Sequence, residues 1–293
     1  MITPAGWQVE PPYGSALSAL IDACVAADRV APLSGHVREA AAKPSNSEYL
    51  LAHDGTTLAG LAVLPGGDPA ELAVAPDYRR QGLGTQLLSA VLARTGSVWA
   101  HGDLPAARAL AATLELRRVR ELVQMRASLR AELPPVELPD GVRIRGFVAG
   151  QDEDGMLAVN ARAFAWHPEQ GRLDRAGLAH DMEQPWYDPA GFFLAVDPDD
   201  RILGFHWTKV HPTDETPAGG PGGPIGEIYV LGVDPESPFR RLGTPLSIAG
   251  LEYLKQRGMA DAMLYVEADN IAAVRLYERL GFSRYLTDVV YQR

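Results

Sequence analysis

Two short stretches of the sequence carry residues suited to holding an anion. "RRQGLGT" (79–85) follows the apolar run "ELAVAP", and "PFRRLGTPLS" (238–247) follows "IYVLGVDP"; a helical pattern starts directly after each. A strand, a turn and a helix start present free N–H groups and the positive end of the helix dipole to a phosphate. The first turn reads Arg79-x-x-Gly82-x-Gly84, and its glycines let the backbone come close to a ligand. Neither turn ends in Gly-Lys-Ser or Gly-Lys-Thr, and neither has the G-x-G-x-x-G spacing, so nucleotide P-loops and dinucleotide folds are excluded. Aligned without gaps, Arg241 stands in the second turn where Gly82 stands in the first, and Gly243 keeps the place of Gly84. Pro245 falls in the first helical turn, where a missing N–H is tolerated. The expectation is a backbone donor site partly rebuilt with side-chain charge, Arg241 with Arg240 serving the phosphates. Two helix N-terminal turns that bind nothing are the plainer alternative.

The elements that position these turns are written twice. Leu72 pairs with Leu231 and Gly84 with Gly243, both at an offset of 159. A second block, "WAHGDLPAARALAATLELRRV" from Trp99, pairs with "YVEADNIAAVRLYERLGFSRY" from Tyr265 at an offset of 166. Two blocks in one order mark an internal repeat. The Pro-rich "RAELPPVELPDG" between them is a linker signal. Domains are expected at 1–130 and 140–293, joined by a linker at 131–139. "HPTDETPAGGPGGPIG" (211–226) reads as a long surface loop. Helical patterns cover 15–27, 84–94, 105–114, 152–163, 244–257 and 271–279. Strand patterns are "EYLLAHD", "LAGLAVLP", "AELAVAP", "SVWAHG", "FFLAVDP", "RILGFHWTKV", "EIYVLGVDP" and "AMLYVEAD". Helices alternating with strands predict an α/β class, an α+β arrangement with mixed sheet included.

The bulk numbers set bounds. The 293 residues suit two domains, and 46% apolar with 22% charged residues is ordinary for globular protein. A net charge of −10 argues against nucleic-acid and anionic-membrane partners. The single cysteine, Cys24, allows no intrachain disulfide and no thiolate metal site. No basic-then-apolar leader and no run of 18 apolar residues is present, so a cytoplasmic protein is expected. His206 and His211 would face opposite ways on a strand, so no metal is expected.

The turn, its preceding strand and its following helix resemble the GNAT acyltransferase superfamily, in which an R/Q-x-x-G-x-G/A turn holds the pyrophosphate of acetyl-CoA. "YVEADNIAAVRLYERLGF" is similar to that family's downstream N-x-x-A-x-x-x-Y-x-x-x-G-F segment. An N-cap and a core tyrosine would be the plain readings of Asn270 and Tyr277 taken singly. A narrower resemblance, in "AFAWHPEQG", "LGFHWTKVHP", "YVLGVDP", "LYVEADNIAAV" and "VWAHGDLPAARA", is to the mycothiol synthase family of tandem GNAT domains. What this implies is acetyl transfer from acetyl-CoA to the cysteinyl amine of desacetylmycothiol by two tandem GNAT domains, the second catalytic.

The implied roles map onto the copies unequally. Acetylating an amine needs a proton acceptor, a polarised carbonyl and an acid for the departing thiolate. Glu227 suits the first task and Tyr277 the third. By offset their counterparts are Asp68 and Ala111, and that of Asn270 is Leu104, so copy one is expected to be non-catalytic. Acetyl-CoA in copy two is implied to meet the backbone of Leu231, Gly232 and Val233. It would then meet the turn formed by Pro238, Phe239, Arg240, Arg241, Leu242, Gly243 and Thr244. The helix start at Asn270, Ile271, Ala272, Ala273, Val274 and Arg275 completes the set. In copy one the implied positions are Leu72, Ala73 and Val74, then Arg80, Gln81, Gly82, Leu83, Gly84 and Thr85. Substrate contacts carried over are Glu169, Lys209, Glu227 and Tyr265. One departure stands out: where the family places an acidic contact after "VAPL", this chain has Ser34 and Gly35. A monomer acting on a small-molecule amine is expected. The alternatives are a GNAT enzyme for another amine and a non-enzymatic CoA-binding sensor or scaffold.

Overall fold

The helices and strands expected from periodicity and turn chemistry form within a residue or two of their expected positions. The structure, a computed structural model, describes residues 14–35, 37–38, 47–66, 69–167, 170–212 and 223–293. Copy one contains α1 (Ser15–Asp28), β1 (Glu48–Asp54), β2 (Thr57–Leu64), β3 (Glu71–Val74), α2 (Leu83–Leu92), β4 (Ser97–Ala100), α3 (Pro105–Thr113) and β5 (Arg117–Ser128). Copy two contains β6 (Arg143–Gly146), α4 (Glu153–Ala163), α5 (Arg175–Met182), β7 (Phe192–Val196), β8 (Ile202–His211) and β9 (Ile225–Val233). It continues with α6 (Gly243–Gln256), β10 (Asp261–Glu267), α7 (Ile271–Arg279) and β11 (Ser283–Gln292). The sequence reading did not place α5, β5, β6 and β11.

The strands form a three-stranded sheet, β1-β2-β3, and an eight-stranded sheet, β4-β11-β5-β10-β9-β8-β7-β6. Among the described residues, a parallel bridge from Ala70 to Val98 joins the two. The order of the larger sheet interleaves the copies. β5 closes copy one in sequence, yet its second half pairs with the whole length of β10, from Asp261↔Ser128 to Glu267↔Leu122. β11 closes copy two and pairs with β4 of copy one, from Val289↔Ala100 to Gln292↔Ser97. The two exchanged strands pair with each other. Residues 131–139, where the linker was expected, hold no helix or strand, but the hydrogen-bonded sheet runs across that point.

Alternation divides the centre of this sheet into two faces. Val123, Met125 and Ala127 of β5 and Ala262, Leu264 and Val266 of β10 turn toward α6 and α7, where Leu251, Leu254, Val274 and Tyr277 complete an apolar cluster. Burying each such side chain contributes roughly 1.5–3 kcal/mol. The register carries Glu227, Met263, Tyr265, Gln124 and Arg126 on the other face. α6 lies close against β8. A Cβ on Gly250 would run into the His206 ring, and the His206 Nδ1 hydrogen donates to the Leu246 carbonyl at 2.7 Å. Complete burial lowers His206 to about 4, so its imidazole is neutral.

Candidate active site

The site begins where β9 and β10 part. Their parallel pairing covers only Gly226–Ile228 against Ala262–Leu264. Beyond it β9 continues to Val233, paired only with β8. The backbone of Leu231, Gly232 and Val233 therefore faces a widening gap. α6 and α7 start on the apolar side of that gap. The turn before α6 keeps one of the two left-handed positions of its copy-one counterpart, and its helix starts one residue later in the ungapped alignment. Gly82 has φ 85° and Arg241, its ungapped equivalent, has φ 63°, so an arginine occupies a left-handed position. This shared position supports the ungapped alignment and puts Arg241 two residues before the first residue of α6. The Asn270 carboxamide accepts from the Ala273 N–H at 3.2 Å, capping α7. In copy one, Arg79 is directed inward: its guanidinium donates to both Asp28 carboxylate oxygens, at 2.8 and 2.7 Å, and to the Val74 carbonyl at 3.0 Å. Arg80, at φ 63°, is the cation left for a ligand of that turn.

Glu227 lies on the polar face of the sheet and is 7% exposed. His211 Nε2 contacts its Oε2 at 2.6 Å. This partner was missed in the sequence, although the alternation that sets His211 apart from His206 places it with Glu227. Lys209 is the cross-strand neighbour of Glu227, with its ammonium over the Trp186 ring at 4.5 Å and the Tyr229 ring at 5.3 Å. Those contacts fix the lysine by cation–π attraction. Tyr277 lies on the opposite side, in the apolar cluster that also holds Ile228 and Leu264. Burial pushes its phenol above the ordinary value. The sheet thus stands between Glu227 and Tyr277. Glu169 and Asp68 lie outside the described residues. Ala111, at the place of Tyr277 in copy one, is buried.

Tyr265 extends this face toward copy one and lines a cavity of about 390 Å³ together with Ser34, Gly35, Glu71, His101, Gln124 and Asp288. The acidic group missing after "VAPL" has a neighbour here: the Ser34 N–H donates to Glu71 Oε2 at 2.7 Å. His101 is held between two carboxylates, Nε2 to Glu71 at 3.2 Å and Nδ1 to Asp288 at 3.2 Å. Burial works against its charge, but the bonds to Asp288 and Glu71 outweigh that and raise it to about 10. Cys24 is buried in α1, and burial pushes its thiol up, away from a reactive thiolate. Among the described residues no three His, Cys, Asp or Glu side chains gather as a metal site would need. Among the same residues, no helix is long and apolar enough to cross a membrane.

A splayed parallel strand pair, a left-handed turn at a helix start and two such units in one chain define a tandem GNAT protein. The profile of the Acetyltransferase (GNAT) family matches residues 158–282, and that of an Acetyltransferase (GNAT) domain matches residues 45–116. The fold is similar to a GCN5-related N-acetyltransferase from Sphaerobacter thermophilus (TM-score 0.71, 24% identity, 95% of this chain and 91% of that one). It is also similar to a tandem GNAT protein from the clavulanic acid biosynthesis pathway (TM-score 0.66, 18% identity, 95% and 94% covered). Sequence comparison is more specific. The chain is 50% identical to a mycothiol acetyltransferase of Thermobispora bispora over 285 residues, 95% of each chain. It is 46% identical to one of Acidothermus cellulolyticus over 316 aligned positions, covering 100% of this chain and 96% of that one. The chain belongs to the mycothiol acetyltransferase family.

Proposed function

We propose that the chain transfers the acetyl group of acetyl-CoA to the cysteinyl amine of desacetylmycothiol, and that copy two carries the reaction. Near-full-length identity to mycothiol acetyltransferases supports the reaction. A single observation supports the choice of copy: copy two sets a buried carboxylate at the parting of β9 and β10 and a buried phenol across the sheet, whereas the buried Ala111 stands at the phenol's place in copy one.

The chain's groups fit acetyl-CoA. The β9 edge past Ile228 offers backbone partners to its amide-bearing arm, and Arg240, Arg241 and the α6 start offer charge and N–H donors to its phosphates. Glu227 accepts a proton from the substrate ammonium, which frees the nitrogen lone pair. His211 holds one carboxylate oxygen and leaves the other toward the amine. The nitrogen bonds to the thioester carbon, the carbon–sulfur bond breaks, Tyr277 gives its proton to the departing sulfur, and the second proton shed by the new amide nitrogen passes through solvent to restore the Tyr277 phenol. Burial that raises the phenol also raises a thiol in the same surroundings, so this proton transfer stays close to balanced. Lys209 and Tyr265 bind the polar body of the acceptor, with Glu169 as a third contact. Copy one holds acetyl-CoA, if at all, without turnover, and the domains divide at 131–139. The enzyme acts as a cytoplasmic monomer without a metal.

Glu227→Gln and Tyr277→Phe are each expected to lower kcat about 10²–10⁴-fold with acetyl-CoA binding retained. The check is CoA release with desacetylmycothiol as acceptor. Full activity in both variants would refute the assigned roles. Turnover of other amines alone would refute the acceptor.

A further inference from the structure

Two polar side chains of copy one stand on the acceptor face of copy two. Gln124, on β5, is 2% exposed and lies opposite Tyr265 in the β5–β10 register. The Arg126 Nε hydrogen donates to Gln124 Oε1 at 2.9 Å, and Gln124 Nε2 donates to the Tyr265 hydroxyl oxygen at 2.7 Å. The Arg126 guanidinium lies 3.6 Å over the Tyr285 ring of β11, which holds it in place. Its two terminal nitrogens are buried and find no hydrogen-bond partner among the described residues.

Donor and acceptor chemistry orders this chain. A guanidinium only donates, so the oxygen of the Gln124 amide must face Arg126 and its NH₂ must face Tyr265. The Tyr265 oxygen receives that bond, and its own hydrogen is free for another acceptor. Desolvation, reinforced by the carboxylates of Glu227 and Asp288, pushes this phenol above its ordinary value, so the hydrogen is retained at neutral pH. Tyr265 and Gln124 both line the cavity between the copies.

We propose that Gln124 and Arg126 are positioning residues that fix Tyr265 as a hydrogen-bond donor aimed into this cavity, toward a hydroxyl or carbonyl oxygen of the amine substrate. This rests on the reading of Tyr265 as an acceptor contact. It gives copy one a task in the reaction of copy two that is separate from binding CoA.

A kinetic double-mutant cycle tests it. Gln124→Glu puts an acceptor where the NH₂ stood, still paired to Arg126, and makes Tyr265 donate back to residue 124. The KM for the amine should rise about 3- to 10-fold, the value of one neutral hydrogen bond, with kcat and the KM for acetyl-CoA within about twofold. In a Tyr265→Phe background the same change should add nothing. Gln124→Met, which removes both bonds without reversing them, should give a smaller rise with the same non-additivity, and it serves if Gln124→Glu does not fold. If Tyr265→Phe leaves the amine KM unchanged, the acceptor reading of Tyr265 fails, and the proposal with it. If Tyr265→Phe raises it while the Gln124 variants do not, or if the effects add in full, the positioning role alone is overturned.

Discussion

Arg241 holds a backbone conformation that glycine would adopt at less cost. An L-residue at φ 63° costs on the order of 1 kcal/mol, so the side chain must supply something the glycine of copy one does not. The comparison of two variants separates backbone from charge. Arg241→Gly should keep the turn and raise the thermal midpoint, yet weaken acetyl-CoA binding about 10-fold or more, as loss of a charge-assisted bond to phosphate would. Arg241→Ala should weaken binding to a similar degree; calorimetric Kd values check both. Residue type alone did not single out Glu227, Tyr277 and Arg241; the comparison of the two copies and the resemblance to the GNAT pattern did, because a carboxylate at a strand end and a tyrosine in an amphipathic helix have plainer readings. His211 was less visible. Its pairing with Glu227 depends on how β8 and β9 are registered, including the irregularity between Trp207 and Thr208, which no local pattern announces.

At the scale of elements, the strand pairs that close the cavity are tied by His101. Its folded value near 10 lies above the unfolded value near 6.5. The stabilisation it brings is therefore full below about pH 6.5 and is lost as pH rises toward 10. The groups facing it are Glu71 from β3 and Asp288 from β11, each also bound to a backbone N–H, of Ser34 and Gly102. The urea midpoint of the native protein should fall between pH 7 and 10, and His101→Gln should remove most of that fall. Packing gives a second expectation. Gly250→Ala would drive a methyl into the His206 ring and should destabilise by about 1–3 kcal/mol, read as a lower thermal midpoint. Helix limits were legible from apolar periodicity and cap residues. β5 and β11 were not placed, although β5 alternates Val123, Met125 and Ala127 with Gln124 and Arg126: arginine, glutamine and aspartate, which serve the cavity, fill the second face where a central strand is expected to be apolar.

For the molecule as a whole, the repeat was plain from the sequence and the exchange of β5 and β11 was not. Internal similarity reports which segments are equivalent, and strand pairing across more than a hundred residues leaves no local mark. The exchange predicts that neither 1–130 nor 140–293 folds alone: each would expose a long strand edge and lose its partner. Produced together, the two pieces should associate and recover CoA release, whereas the intact chain should unfold in one cooperative transition by circular dichroism. The crossed strands also reproduce, inside one polypeptide, the arrangement of a two-fold dimer that trades its edges. In a true dimer both sites are encoded by one gene and must change together, and dilution dissolves them. Here the linker keeps the partners at a high effective concentration whatever the dilution, so specific activity should not fall as the enzyme is diluted. Fusion also releases the halves from identity: one could lose its phenol and carboxylate while its last strand went on serving as a wall of its neighbour's pocket.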